Sequence, residues 1–378
     1  MIKLMKNTFY KEKDTKEKLC KFITNSKKLS MGTKCKEFEE EFSKYQGRKY
    51  SVLVNSGSSA NLLLIQALLN MKVLKKGDRV GVSNITWATN IMPLIQLGLK
   101  PVPLDVSLKN LNVNLVNLKG KKIKCLFMTN LLGFCGDLDK IRNYCIKNKI
   151  ILLEDNCESL GSILKGRLLG NFGLASTFSF YVGHHLSTIE GGMICTGNKE
   201  LYDNLVMARA HGWGRNLDEK ERNSLMKKYK TDKFYEMYAF YTLGYNLRPT
   251  EITGFLGLNQ LNYLTETIVK RNKNFLRFEE AVKSNKDIER LDFSNMDYVS
   301  NFDYPVIFKN KKTCERYKRR FKDVEIRAIV GGCMTEQPFF KKEKGYPNAK
   351  KIHSLGFYIP NNPDLTEKEI KCICDLLK

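Results

Sequence analysis

Apolar and polar residues follow two different spacings along this chain. Near the N-terminus, Phe38 and Phe42 lie one helical turn apart among glutamates, which predicts that residues 1–50 are largely helical. From residue 51 onward, short apolar runs alternate with longer amphipathic segments, the pattern of strands followed by helices. The predicted strands are 51–54, 79–83, 101–104, 124–129 and 150–153, and the predicted helices between them are 61–71, 88–97 and 138–148.

Repeated strand–helix units predict an α/β fold with a largely parallel sheet covered by helices. Functional groups of such sheets gather at the carboxyl ends of the strands, where Thr86-Trp87, Glu154-Asp155 and the segment 176–192 are placed. Asp155 is either a carboxylate that caps a turn or a buried acid paired with a cationic ring nitrogen. Trp87 is either a core aromatic or a flat platform for a planar ligand.

The second half of the chain predicts a helical region and then a small α+β unit. A Gly212-Trp213-Gly214-Arg215 turn leads into a charged stretch to about Lys233 that we expect to be mobile. The predicted elements that follow are a polar loop at 244–249, helices at 250–263 and about 266–285, strands at 306–307 and 326–330, and a closing helix at 366–377. We therefore divide the chain into a large domain, 1–260, and a small C-terminal domain, 261–378, that includes the linking helix.

Composition and charge exclude several classes of protein. The formal net charge of the 378 residues is +24, but the lysines are spread along the whole chain, which argues against a nucleic-acid footprint and favours small anionic ligands. No apolar run approaches the ~20 residues that a membrane helix needs, and the N-terminus has no apolar signal core. We expect a cytoplasmic protein that binds neither nucleic acid nor membrane.

The eleven cysteines are odd in number and mostly embedded in apolar segments, which is typical of reduced thiols in a cytosolic enzyme. None lies between Cys195 and Cys314, so we expect no iron–sulfur cluster and no other metal site.

Two of the four histidines, His184 and His185, lie side by side in the segment 176–192, STFSFYVGHHLSTIEGG. No lysine occurs between Lys165 and Lys199, although the protein is rich in lysine. Earlier in the chain, the small residues of NSGSSA (55–60) join a strand to a helix N-terminus, and free N–H groups at such a turn can bind a phosphate.

Taken together, these motifs resemble the DegT/DnrJ/StrS family of pyridoxal-phosphate sugar aminotransferases, almost from end to end. The segments that carry the resemblance are NSGSSAN, TWATN, LLEDNCESLG, FSFYVGHH followed by EGG, and GYNLRPTE. It implies the aspartate-aminotransferase-like fold, which is fold type I of the enzymes that use pyridoxal 5′-phosphate (PLP). That fold has a large domain with a mostly parallel seven-stranded sheet and a small C-terminal α+β domain.

The resemblance also assigns roles to single residues. Gly57, Ser58 and Ser179 match the phosphate cradle, and Trp87 falls where an aromatic stacks on the pyridine ring. Asp155 matches the partner of the ring nitrogen, which keeps the ring an electron sink. The remaining assignments are Glu158 near the ring hydroxyl, where many relatives have glutamine, Asn246 reaching the phosphate of the neighbouring subunit in a homodimer with shared active sites, and His211, Arg248 and Arg327 near the substrate.

The chain departs from the family at His184, which takes the place of the Schiff-base lysine when counted back from Glu190-Gly191-Gly192. Imidazole forms no stable imine, so PLP and its amine form, pyridoxamine 5′-phosphate (PMP), must be held without a covalent bond. A neutral histidine still accepts a proton. The pair resembles the sugar 3-dehydratase branch of the family. Its iron–sulfur type carries cysteines directly after the Trp-Gly-Arg turn, where this chain has Asn216-Leu217, so the resemblance favours the iron-free type, which acts on GDP-4-keto-6-deoxymannose.

The resemblance therefore predicts a 3-dehydratase of nucleotide-linked 4-keto-6-deoxy sugars in dideoxysugar biosynthesis for surface polysaccharide. L-Glutamate would regenerate PMP, His184 would act as the base, and the products would be a 3,6-dideoxy-4-keto sugar and ammonia. Two alternatives stay open: a sugar aminotransferase that tolerates histidine, and a non-catalytic nucleotide-sugar-binding protein. GDP is the preferred nucleotide, and the sugar is either a hexose or a heptose.

Overall fold

A central sheet organises the computed structural model, which describes residues 1–340 and 343–378. Its seven strands are β1 (Tyr50–Val54), β2 (Arg79–Ser83), β3 (Lys100–Leu104), β4 (Cys125–Thr129), β5 (Ile151–Asp155), β8 (Ala175–Ser179) and β9 (Gly192–Thr196). Two small antiparallel pairs are β6 (Ile163–Leu164) with β7 (Arg167–Leu168), and β10 (Tyr304–Ile307) with β11 (Gly356–Ile359).

The order of the strands in the central sheet is β1-β9-β8-β5-β4-β2-β3. All neighbouring pairs from β8 to β3 are parallel, and β9 is antiparallel to both β8 and β1. Every strand except β9 therefore ends at the same edge, and β9 begins there. This mostly parallel sheet confirms the predicted α/β fold.

The helices are α1 (Glu12–Asn25), α2 (Thr33–Gln46), α3 (Gly57–Asn70), α4 (Met92–Gln96), α5 (Leu115–Leu118), α6 (Leu138–Lys147), α7 (Lys199–Arg209), α8 (Glu219–Tyr229), α9 (Glu251–Leu261), α10 (Leu264–Val282), α11 (Lys311–Arg320), α12 (Pro347–Leu355) and α13 (Glu367–Leu377). Within the described ranges, none of them combines the length and apolar character that a membrane span requires.

Helices α1 and α2 make residues 1–50 largely helical, as predicted, although residues 1–10 form no helix. The charged stretch after Arg215 contains α8, and its mobility stays a prediction. Two local predictions were wrong. The segment 88–97 splits into a 3-10 turn and α4, because Pro93 fixes the start of a new helix. Residues 326–330 make only the isolated bridge between Arg327 and Tyr358, since Val330 takes a positive φ of 48° that ends the extended chain.

An aromatic cluster fixes the strand that leads into the histidine pair. Phe38 and Phe42 on α2, spaced one turn apart, are fully buried against Phe178 and Phe180. Ring centroids lie 5.2 Å apart for Phe42 and Phe178 and 5.3 Å apart for Phe42 and Phe180. Contacts of this kind add to the large apolar area that each ring buries, so the end of β8 is held rigidly.

The C-terminal part packs α10, α11 and α13 around the β10–β11 pair. One hydrophobic cluster contains residues from both predicted domains, among them Leu126 of the central sheet, Phe275 of α10 and Phe357 of β11. The division of the chain at residues 260 and 261 stays a prediction.

Candidate active site

Asp155 ends β5 at the edge of the sheet where the strand ends gather, and it is buried. Its Oδ2 accepts hydrogen bonds from Nδ2 of Asn61, at 2.9 Å, and from Nδ2 of Asn90, at 2.7 Å. Its Oδ1 accepts from the backbone N–H of Cys157 at 2.9 Å. Three donors from three different segments therefore fix the plane of this carboxylate.

The two asparagines are themselves oriented by threonines. Thr177 donates to Oδ1 of Asn61 at 2.7 Å, and Thr86 donates to Oδ1 of Asn90 at 2.9 Å. Each amide is thereby turned so that its NH₂ group faces Asp155. Sequence reasoning assigned no role to Asn61 or Asn90; the available signal was that they close the motifs NSGSSAN and TWATN.

The turn before α3 meets the end of β8. Ser56 caps the helix by accepting from the N–H of Ser59 at 3.0 Å, so the first N–H groups of a 14-residue helix point outward. A Cβ on Gly57 would lie only 2.6 Å from Cβ of Ser179, so this close approach requires glycine. The hydroxyl of Ser179 thus lies beside Gly57, at the N-terminus of α3. This arrangement fits a phosphate.

Trp87 follows β2, and 55% of its surface is exposed although it is a large aromatic residue. The interpretation of Trp87 as a core residue is therefore wrong. Its ring is available to stack on a planar ligand near the strand ends.

His184 is half-buried, and its Nδ1 lies 2.6 Å from the carbonyl oxygen of Cys157, two residues beyond Asp155. A carbonyl only accepts hydrogen bonds, so Nδ1 carries the proton and the lone pair of the neutral ring is on Nε2. Burial lowers the pKa of His184 to about 4; the bond to Cys157 opposes the shift and the positive charge of Arg271 adds to it. At neutral pH the ring is therefore an uncharged base.

His185 is buried, and its Nε2 donates to the carbonyl of Ser300 at 3.2 Å. Burial, with the Arg271 charge adding to it, keeps the pKa of His185 well below its ordinary value. Phe302 packs against both rings, with centroids 4.9 Å from His184 and 6.1 Å from His185. The second histidine thus holds the turn, while the first presents a free nitrogen.

Glu158 lies one residue beyond Cys157, and its Oε2 accepts from the N–H of Leu132 at 3.0 Å. Burial raises the pKa of Glu158 to about 8, and the negative charges of Asp155 and Asp303 add to the shift. Its carboxyl group is therefore mostly protonated at neutral pH. A protonated carboxyl can donate a hydrogen bond, as the amide of a glutamine does.

Asn246, Arg248 and His211 form a second group together with Trp213. Nε of Arg248 donates to Oδ1 of Asn246 at 2.9 Å, and the rings of His211 and Trp213 lie 4.8 Å apart. Arg248 also lies over the Trp213 ring, 5.6 Å from its centroid. The N–H of Asn55 donates to the carbonyl of Leu247, so this group adjoins the turn before α3 (residues 55–60), which we call the phosphate turn.

Arg327 lies in the C-terminal part, where its backbone pairs with that of Tyr358. Its guanidinium pairs with Glu325 at 2.6 Å and is largely exposed. Among residues 1–340 and 343–378, no set of three or more His, Cys, Asp or Glu side chains could hold a metal ion.

The strand-end carboxylate, the phosphate turn and the fold together define a pyridoxal-phosphate-dependent enzyme of the aspartate-aminotransferase-like class. The chain belongs to the DegT/DnrJ/EryC1/StrS aminotransferase family, which it matches over residues 10–378. It is 40% identical over 383 residues to the GDP-4-keto-6-deoxy-D-mannose 3-dehydratase of Escherichia coli O55:H7, and the match covers 97% of each chain.

Two solved structures of a GDP-4-keto-6-deoxymannose 3-dehydratase are similar over the whole length of both chains. A variant with bound GDP-perosamine superposes with a TM-score of 0.91 at 32% identity, covering 100% of each chain. A second structure, with a trapped PLP–glutamate geminal diamine, has a TM-score of 0.90 at 32% identity and the same coverage.

The raised pKa of Glu158 predicts a pH dependence of stability in the cofactor-free protein. Between pH 4.5 and about 8, the folded protein keeps a proton that the unfolded chain has released, so the contribution of this site falls as pH rises. The Glu158→Gln variant has no such titration at this position. The difference between its free energy of unfolding and that of wild type should therefore shift in its favour by up to about 1.4 kcal/mol per pH unit as pH rises.

Urea unfolding at pH 5 to 8 measures this difference. Glu280→Gln, at an exposed position paired with Lys283, is the matched control and should follow wild type. Parallel stability curves for wild type and Glu158→Gln would contradict the assignment of a neutral Glu158.

Proposed function

We propose that this chain is a PLP/PMP-dependent 3-dehydratase of a nucleotide-linked 4-keto-6-deoxy sugar, with L-glutamate as the amino donor. The observation that carries the proposal is the geometry of His184. A neutral imidazole, with Nδ1 committed to Cys157 and Nε2 free, stands where the family has its Schiff-base lysine. It can move a proton but cannot form a lasting covalent bond to the cofactor.

The cofactor site is assigned to residues that the fold brings to one edge of the sheet. Gly57, Ser58 and Ser179 would hold the phosphate, and Asp155 would pair with the ring nitrogen. Trp87 would cover one face of the ring, and the protonated Glu158 would donate to the ring hydroxyl. When bound, the cofactor supplies an electron sink and, in its amine form, the nitrogen that condenses with the C4 ketone.

His184 is then the base. Its free Nε2 would accept the proton whose removal accompanies the departure of the C3 hydroxyl of the sugar, with the bound cofactor as the electron sink. The chain has no lysine here that could deliver the proton to C4 of the sugar and complete a transamination. Elimination therefore prevails over amino-sugar formation.

The overall reaction balances. The sugar loses one oxygen from C3, glutamate becomes 2-oxoglutarate, and its nitrogen is released as ammonia when the enamine product hydrolyses. The oxidation of glutamate thus matches the reduction of the sugar, and no iron–sulfur cluster or separate reductase takes part.

GDP is the proposed nucleotide, because the dehydratases that match over almost the whole chain are named for a GDP sugar and one of their structures holds GDP-perosamine. His211 and Arg248 are proposed to contact the substrate beside the phosphate turn, and Arg327 from the C-terminal part. The proposed setting is dideoxysugar biosynthesis in the cytoplasm for surface polysaccharide.

We also propose a homodimer with shared active sites. Asn246 is exposed, and it lies beside a run of exposed apolar residues that includes Phe234 (83% exposed) and Leu243 (74% exposed). A surface of this kind is typical of a protein–protein interface. If a second copy covers it, Asn246 can reach the phosphate site of the partner.

The reaction itself is tested with purified protein, PLP, L-glutamate and a panel of 4-keto-6-deoxy sugars linked to GDP, CDP, UDP or dTDP. We expect ammonia and a 3-deoxy-4-keto sugar in equal amounts, fastest with GDP, measured by coupled ammonia assay and mass spectrometry. An amino sugar as the main product would favour the aminotransferase alternative, and no turnover with any sugar would favour the binding protein.

The role of His184 is tested by His184→Lys, with His184→Asn as the matched variant that carries neither amine nor base. The lysine variant should bind PLP covalently, so borohydride reduction should increase the mass of the chain by one cofactor, while wild type stays unlabelled. Both variants should lose dehydration by on the order of 10²-fold or more, the range expected for loss of a general base. Dehydration at the wild-type rate in His184→Asn would exclude His184 as the base.

Shared active sites are tested by mixing two variants, His184→Ala and Asn246→Asp. If each site combines His184 of one chain with Asn246 of the other, a mixed dimer contains one intact site. Random exchange should then restore roughly a quarter of wild-type activity, since half of the dimers are mixed and each has one working site of two. If each site is instead built within one chain, the mixture should be no more active than each variant subjected to the same exchange treatment alone.

A further inference from the structure

Arg271 on α10 is a buried cation that has no role in the proposed reaction. It is 3% exposed, and no carboxylate among the described residues lies within ion-pair distance of its guanidinium. Burying an arginine without an ion pair is costly, so the surrounding structure must satisfy it in another way. Burial lowers the pKa of Arg271 to about 10, and the more distant Asp303 and Asp364 oppose the shift, so the group stays charged.

Backbone carbonyls surround this charge. Nη1 donates to the carbonyls of Phe302 and Asn361, the latter at 2.8 Å, and Nη2 donates to the carbonyl of Gly183 at 3.3 Å. These acceptors come from three segments that are distant in sequence. The guanidinium therefore ties the linking helix to three segments: the histidine turn, the segment before β10 and the segment after β11.

All three segments bear on His184. Gly183 directly precedes it, and the ring of Phe302 packs on its imidazole. Asn361 in turn donates through its Nδ2 to the carbonyls of Arg271 and Asn301, beside Phe302. A displacement of the guanidinium would therefore move both the backbone and the aromatic wall that set the direction of the His184 ring.

We infer that Arg271 is a positioning residue for the His184 base: it ties the histidine turn to the Phe302 segment, and together these aim the imidazole. The inference rests on the proposed function, because it concerns how the base is held. It adds a group outside the cofactor site whose geometry and charge both act on the reacting nitrogen.

Several groups around His184 act on its pKa together with the positive charge of Arg271. The negative charge of Asp155 and the bond to the Cys157 carbonyl raise the pKa of His184, whereas burial and Arg271 lower it. Glu158 is mostly neutral, and His185 carries no charge at neutral pH. Tyr181 and Phe302 are the neighbouring rings. Of the two charged residues that shift the pKa of His184, Arg271 is the cation and Asp155 the anion.

Two substitutions separate position from charge. Arg271→Met keeps an apolar stem and removes the cation, whereas Arg271→Lys keeps a charge but cannot reach three carbonyls with a planar fork. Arg277→Met is the matched control, because Arg277 lies on the same helix and pairs at 2.6 Å with the exposed Glu367.

The first measurement is a ¹⁵N histidine NMR titration of the cofactor-free protein, with the His184 signals assigned by their loss in His184→Asn. Arg271→Met should raise the titration midpoint of His184, and Arg271→Lys should leave it near that of wild type.

The second measurement is the pH profile of kcat. Its acid limb should move to higher pH in Arg271→Met only. Plateau kcat should fall on the order of 10- to 100-fold in both variants, with little change in KM, as expected for a misplaced catalytic group.

Arg277→Met should match wild type in every readout. The inference is overturned if Arg271→Met leaves the His184 titration and the shape of the pH profile unchanged, even if it lowers thermal stability. If Arg271→Met does not fold, an unchanged kcat in Arg271→Lys overturns it. Failure of the proposed function would instead show as absent turnover in wild type, and the NMR titration would still decide the role of Arg271.

Discussion

The hydrogen bond from Nδ1 of His184 to the carbonyl of Cys157 is the interaction on which the proposed chemistry of this molecule depends. It joins the end of β5, which carries Asp155, to the turn after β8, and it determines which nitrogen of the imidazole is free. Because Asp155 is two residues away from the acceptor, the same backbone turn positions the proposed partner of the cofactor ring and the proposed base. A shift of this turn would disturb both together, so the structure stabilises it from several sides.

Charge is distributed around this bond in a consistent way. Asp155 is held by three donors. The neighbouring Glu158 is kept protonated by burial and by the nearby carboxylates, and His184 is kept neutral by burial and by Arg271. A neutral base next to a fixed carboxylate suits proton removal, whereas an imidazolium in this place would have no lone pair to offer. The low dielectric of the site thus selects protonation states that the same residues would not have in water.

Much of the fold and the site could be predicted from sequence. The alternation of strands and helices, the small-residue turn at 55–60 and the histidine pair in a lysine-free segment are local patterns, and the mostly parallel sheet follows from the alternation. The failures were also local. The helix over 88–97 was interrupted because Pro93 restricts the backbone, and the strand over 326–330 lacked a partner strand beyond one bridge. Pairing of strands depends on distant residues, which a single run of apolar residues does not reveal.

The sequence by itself determined the order of the elements, the family and the absence of lysine between Lys165 and Lys199, because each can be read from contiguous residues. Only the tertiary structure decided that Asn61 and Asn90, 94 and 65 residues away from Asp155, both turn their amides to it. It likewise decided that Arg271 reaches Gly183 across 88 residues and that Nε2 of His184 is the free nitrogen. Hydrogen bonds of this kind depend on distances and angles within a few tenths of an ångström, and these are set by packing of the whole core.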